Sequence, residues 1–251
     1  MQSRKGGGFS FVMRYIYGPV SSRRLGVSLG ISLTPHKTCP FDCVYCQLGA
    51  TTDKTLERSA YVPSADIIAE VRAWLDANPG RIKGLSYITL SGAGEPTLHT
   101  EISALISGIK KMSSVPVAVI TNSCLMVDAQ VRKELLQADL IVPSLDAASD
   151  EVFARIDRPL PGTRVEEIIE GLVGLRKEYH GKIWLEIMLV KGYNDDIRHI
   201  RKLKEAVERI NPDQVHLNSP VRSTAEKNIG PVDEAKLKQI AEMLGDKAQI
   251  I

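Results

Sequence analysis

The sequence predicts an α/β protein on a parallel sheet, either an open doubly wound sheet or an incomplete (β/α)6 parallel barrel. Three observations lead there. Short apolar runs alternate with amphipathic stretches through most of the 251 residues, which is the pattern of βαβ units. The run at 115–121 is apolar and rich in β-branched residues, as a strand covered on both faces should be. The unusual polar sequences all follow apolar runs, at the strand ends where both architectures place functional side chains.

The elements read in order as follows. Residues 30–34 form a first strand. Residues 64–77 form a helix, with Ser64 as N-cap and Asn78-Pro79-Gly80 as its stop. A strand at 85–91, a helix at 100–112 and a strand at 115–121 come next. Asp128 caps a helix running to 137, and 140–145 is a strand. Helical pieces at 149–156 and 164–179 lead to a strand at 183–190. A helix at 196–210, a strand at 214–218 and a helix at 232–244 complete six strand–helix units. Periodicity does not separate the two architectures. Gly6-Gly7-Gly8 marks residues 1–17 as a flexible N-terminal arm, leaving 18–251 as a single core domain.

Composition narrows the function classes. A hydrophobic share of 43% supports one full core. A net charge of +2 is too balanced to signal nucleic-acid binding by itself. No apolar run approaches the roughly 20 residues that span a bilayer. The first 17 residues lack a long apolar core and a cleavage signature, so a cytoplasmic location is expected.

Three of the four cysteines fall in Cys39-Pro-Phe-Asp-Cys43-Val-Tyr-Cys46, on the loop after the first strand. So tight a cluster reads as a metal site rather than a disulfide framework. Thiolates are the usual ligands of iron–sulfur clusters. Three thiolates on a four-iron cubane leave one iron for a small molecule. Two other readings fit the spacing alone: a Cys3His zinc site completed by His36, and three buried thiols without metal.

With its aromatic Tyr45, this array resembles the C-x3-C-x-aromatic-C signature of the radical S-adenosylmethionine (SAM) superfamily. The resemblance extends along the chain. Ser91-Gly-Ala-Gly94-Glu95-Pro96-Thr97 looks like the superfamily's Gly-Gly-Glu-Pro strand end. Thr121-Asn122-Ser123 is similar to its Thr-Asn-Gly element, and Ser144-Leu145-Asp146-Ala147 to its Ser-Leu-Asp element. The resemblance implies a 4Fe–4S cluster on Cys39, Cys43 and Cys46, with SAM on the vacant iron. It further implies reduction by a flavodoxin- or ferredoxin-type donor and a 5′-deoxyadenosyl radical that abstracts hydrogen from a substrate. Tyr45 would meet the adenine. Gly94, Glu95 and Pro96 would bring backbone to the methionine amino group, since glycines permit close approach and proline fixes the turn. Thr121, Asn122, Ser123, Ser144 and Asp146 would meet the ribose and carboxylate, and Asn218 the adenine or substrate side.

One position departs from the pattern. Some relatives carry an arginine five residues before the glutamate, where this chain has Leu90. Arg155 or Arg158 is then the expected partner of the SAM carboxylate. A closer similarity, carried by residues 18–26, 37–49 and 186–195, is to the wyosine-base-formation-like subgroup. That similarity brings a tRNA base into view as substrate, beside a protein glycyl site or a small metabolite. Lys191 is the candidate for a Schiff base and Cys124 for a hydrogen-atom donor. Arg23 and Arg24 are candidates for binding phosphate or carboxylate, and His216 is expected to face the interior beside Asn218.

Overall fold

The computed structural model describes residues 13–251. Ten strands and eight α-helices follow in chain order: β1 (Ile16–Ser22), β2 (Gly26–Ser32), β3 (Thr38–Cys39), β4 (Asp53–Lys54), α1 (Ser64–Ala77), α2 (Pro79–Ile82), β5 (Tyr87–Ser91), α3 (Ile102–Met112), β6 (Val117–Thr121), α4 (Ala129–Leu135), β7 (Leu140–Pro143), α5 (Asp150–Ile156), α6 (Val165–Glu178), β8 (Lys182–Met188), α7 (Ile197–Ile210), β9 (Gln214–Asn218), α8 (Glu234–Leu244) and β10 (Ala248–Ile250).

The main sheet has the order β1-β2-β5-β6-β7-β8-β9-β10. From β2 to β9 every neighbouring pair is parallel. An open doubly wound sheet reverses its strand order at a switch point. No reversal occurs here, so the fold is the incomplete (β/α)6 barrel. Its strands separate two apolar layers. Outward residues such as Leu29, Ile31, Ile88, Leu90, Val117 and Leu185 pack beneath the helices in the large core. Inward residues Leu25, Ala118, Leu140 and Val142, with Tyr87, Ile120 and Trp184 against them, fill the barrel interior. Helices follow the strands round the outside, α1 on α3, α3 on α4, α4 on α6, α6 on α7 and α7 on α8.

The chain's beginning departs from expectation. The arm expected over 1–17 lies mostly outside the described residues, but its last residues belong to the fold. Glu70 on α1 accepts backbone hydrogen bonds from Arg14, Tyr15 and Ile16, at 3.0, 2.9 and 2.9 Å. Strand β1 then pairs antiparallel with β2. The ring of Tyr17 lies over Gly30, at the space a Cβ there would need. At the other end β10 adds to β9. Among the described residues these two flanking strands do not pair, and the barrel stays open between β2 and β9.

Candidate functional site

The cysteine loop is clamped from four sides. Parallel strands β3 and β4 pair at its base. The buried Lys37 ammonium donates to the Gly49 carbonyl at 2.8 Å. Backbone N–H groups of Asp42 and Val44 donate to Asp157 O and Ile156 O at 3.0 and 2.9 Å, which ties the loop to the end of α5. The N–H of Glu95 donates to Thr38 O at 3.0 Å. A Cβ on Gly94 would stand 2.5 Å from Thr34 Oγ1 and closer still to Thr38 O. Only glycine lets the 94–97 turn approach the loop this closely.

All four cysteines are free. Cys39 is buried, and Cys43 and Cys46 are half-buried. Burial pushes the Cys39 thiol up to about 12, with the nearby Glu95 carboxylate adding to it. Cys43 is raised by burial, then by Asp157 and by the neighbouring Cys39 and Cys46. Metal binding to such thiols releases their protons, so metal is what makes them thiolates. Asn122 Nδ2 donates to Cys39 Sγ at 3.4 Å, and Cys43 Sγ donates to Asp157 Oδ1 at 3.3 Å. Among the described residues no group of three His, Cys, Asp or Glu converges as a single-ion site. His36 is exposed, so the Cys3His zinc set is not assembled. A cubane makes a different demand, because each thiolate binds its own iron.

The strand-end elements meet this loop, each in its own way. Glu95 is 2% exposed. Its Oε1 accepts from Thr97 N, Thr97 Oγ1 and Thr121 Oγ1, at 3.1, 2.6 and 2.6 Å. Its Oε2 accepts from Asn122 N at 2.7 Å. Burial raises this carboxyl against the pull of those donors. The side chain is thus a brace between the ends of β5 and β6, and Gly94 and Pro96 offer backbone. Ser123 sits at φ +69°, a left-handed conformation that glycine adopts freely. Its Oγ donates to Ser144 O at 2.7 Å, linking the ends of β6 and β7.

Tyr45 donates its phenol to Asp146 Oδ2. Asp146 Oδ1 accepts from Met188 N at 2.6 Å. Asp146 and Asp157 are both buried, and burial raises both carboxyls. The Asp146 charge further raises Asp157. Sequence reasoning missed Asp157, although an acid between two arginines in Arg155-Ile-Asp-Arg158 was visible. These groups, with Phe41, Asn122 and Ser144, line a narrow cleft beside the cysteines.

A second cavity, of about 580 Å³, opens at the gap between β2 and β9. Tyr17, Arg23, Arg24, Ser28, Ser32, Thr89, Ser91, Asn218 and Arg222 are among its lining. Arg24 pairs with the buried Glu186 of β8, a charge in an apolar strand that sequence reasoning passed over. Arg23 donates to Asn218 Oδ1 at 2.7 Å, and Asn218 Nδ2 to Glu186 Oε1 at 3.2 Å. His216 is buried with its ring 5.1 Å from that of the inward Trp184.

Four expected participants stand elsewhere. Arg155 is exposed and donates to Tyr193 O. Arg158 is paired with Glu226 at 2.6 Å. Neither lines the cleft or the cavity, because each guanidinium is held by these other partners. The Lys191 side chain is 57% exposed and paired with Asp233 at 3.0 Å on the surface. Cys124 is 2% exposed, its thiol pushed up to about 12 by burial, and it lines neither space.

Comparison with known proteins agrees with this geometry. The family model for the radical SAM superfamily matches residues 33–204. The UPF0026 protein MJ1312 of Methanocaldococcus jannaschii is 34% identical over 241 residues, covering 95% of this chain and 73% of that protein. A protein named GTPase Obg in Brachyspira hyodysenteriae is 37% identical over 224 residues, covering 89% of this chain. This chain spans only 32% of that protein's length. The fold is similar to that of TYW1 solved with a lysine-pyruvate adduct bound, with a TM-score of 0.64 at 20% identity. That match covers 86% of this chain and 72% of the other. The chain belongs to the radical SAM superfamily, whose members use a 4Fe–4S cluster and S-adenosylmethionine.

Proposed function

We propose that Cys39, Cys43 and Cys46 bind the cluster, that SAM takes the remaining iron along the ends of β5, β6 and β7, and that a substrate enters the 580 Å³ cavity from the open side. The observation that carries this reading is the junction at the cysteines. One loop holding three free thiols is packed against Gly94, bonded by Asn122 and tied to Asp157. The donor set fits a cluster, and the glycine-lined approach fits a ligand that meets backbone.

When bound, the cluster and SAM supply reductive carbon–sulfur cleavage and hydrogen-atom abstraction. The chain's residues do the rest. Glu95 fixes the 94–97 turn against β6, so the backbone that would face SAM is held still. Asn122 directs an N–H at Cys39 Sγ, which steadies charge on that sulfur. Tyr45 is held by Asp146, and the cleft they share lies beside the cysteines. The barrel wall encloses the cavity except at its open side, and enclosure of this kind would protect a reactive species.

The cavity volume suits a metabolite-sized molecule. A tRNA base or a protein glycyl site would have to reach the interior through the gap between β2 and β9, so the small molecule is the favoured substrate. The electron donor is of flavodoxin or ferredoxin type. Free thiols in every described cysteine suit a reducing cytoplasm. No helix among the described residues is long and apolar enough to cross a membrane.

Anaerobic reconstitution with iron and sulfide tests the ligand assignment. The expected product is brown, with about four irons per chain. Cys39→Ala, Cys43→Ala and Cys46→Ala each lose the cluster, and Cys124→Ala keeps it. A colourless chain holding one zinc overturns the assignment.

A further inference from the structure

The charges around the 580 Å³ cavity are one-sided. Its lining holds three arginines, Arg23, Arg24 and Arg222, and no aspartate, glutamate or lysine. Among the described side chains, an acid balances only Arg24: Glu186, from behind the wall. Even there, Arg24 Nε is buried and without a partner among the described residues. Arg23 donates to Asn218 Oδ1 and to the main-chain oxygen of Ile251, at 2.7 and 2.9 Å. Arg222 reaches Gln47 Oε1 at 3.3 Å. No acidic side chain among the described residues pairs with Arg23 or Arg222.

Arg23 and Arg222 are exposed, where an arginine without an acidic partner is ordinary. What sets them apart is that both line one concave space that holds no acid, where two guanidiniums repel each other. Guanidinium is the side chain that matches planar or tetrahedral oxyanions, donating two parallel hydrogen bonds. Hydroxyls of Ser21, Ser22, Ser32 and Ser91 add short neutral donors to the lining.

The mouth has a different character. Tyr17, Val20 and Leu48 are at least 39% exposed, and all three line the cavity. Exposed apolar side chains gathered at one opening mark a contact surface. The cavity thus joins an anion-binding wall to an apolar rim.

We propose that this cavity takes a small molecule carrying a phosphate or carboxylate group, bound by Arg23 and Arg222, its uncharged part against Tyr17, Val20 and Leu48. The inference rests on the assignment of this cavity to the substrate. Arg24 and Glu186 position the wall, and Arg23 and Arg222 contact the ligand.

The test uses the cluster-loaded chain saturated with SAM and follows pyrophosphate and malonate by titration calorimetry. Iron content and SAM affinity are measured first on the same sample, so failure of the cofactor assignment is seen separately. At least one probe is expected to bind one equivalent. Pyrophosphate preference identifies a phosphate-bearing substrate and malonate preference a carboxylate-bearing one. Arg23→Gln and Arg222→Gln are each expected to weaken binding by about tenfold or more with SAM affinity unchanged. Arg23→Lys, which keeps the charge, retains part of the affinity. The proposal is overturned if neither probe binds the wild-type chain, or if the probes displace SAM. It is equally overturned if correctly folded glutamine variants bind as the wild type does.

Discussion

Asn122 spans two cysteines. Its Nδ2 donates to Cys39 Sγ at 3.4 Å while its Oδ1 accepts from the N–H of Cys124 at 2.9 Å. The second bond aims the first, because it fixes which way the amide faces. Hydrogen bonds to cluster sulfurs favour the reduced, more negative state. Asn122→Ala is therefore expected to lower the midpoint potential of the reconstituted cluster by roughly 50 mV, on the scale of 59 mV per tenfold for one electron. Potentiometric titration followed by EPR measures it. An unchanged potential would show that the amide serves only the turn.

Gly94 is predicted to be intolerant of any side chain. The Cβ of Gly94→Ala would overlap Thr34 Oγ1 and Thr38 O. Backbone of the cysteine loop cannot yield without moving Cys39. The variant should lose about 3 kcal/mol, the upper end of overpacking costs, and most of its iron. Denaturant unfolding and an iron assay check both. Wild-type stability and loading would show that the 94–97 turn and the loop are not coupled.

The brace formed by Glu95 predicts a penalty for an isosteric change. In Glu95→Gln the amide facing Asn122 N–H, or one facing Thr97 and Thr121, puts donor against donor. A buried group left unpaired costs about 2 kcal/mol. The urea midpoint should fall accordingly, and Glu95→Asp, which keeps the charge but shortens the reach, should fall further.

His199 sets part of the acid sensitivity. It is buried, with Nε2 unpartnered among the described residues. Burial lowers its imidazole from 6.5 to about 4, with Lys202 and Arg155 pushing the same way. Because the folded value lies below the unfolded one, the unfolded chain binds the extra proton first. Stability is full above pH 6.5 and falls as pH drops from 6.5 toward 4, by at most about 3 kcal/mol at 1.36 kcal/mol per unit. His199→Gln should flatten that part of the pH–stability curve. Parallel curves for the two proteins would remove His199 from the account.

Much of the frame was legible because pattern and environment agree. Strand β9 and helix α1 fall where alternation and helical period place them. The N-cap is not Ser64, whose Oγ is unpartnered, but Pro63, because the chain enters the helix in an extended conformation there. Strand β1 was missed because it is exposed along most of its length and Gly18-Pro19 reads as a turn. The strand-end rim was legible because Gly94, Asn122, Ser144 and Asp146 are residue types that a buried sheet does not need. Arg23 and Arg24 were legible as candidates for binding an oxyanion, but Asp157 and Glu186 were not, since their roles come from neighbours 32 or more positions away: Asn218 for Glu186, Cys43 for Asp157. Arg155 and Lys191 were misplaced for the same reason. Sequence shows that a charge follows a strand, and not which way the helix or loop carries it.

The vacant iron is the central claim, and the EPR spectrum of the reduced cluster tests it most directly. Three protein thiolates leave one iron open to SAM, so adding SAM to the anaerobically reduced chain should change the g-values, and Asn122→Ala should retain the change. A spectrum identical with and without SAM, in a chain containing about four irons, would contradict the account.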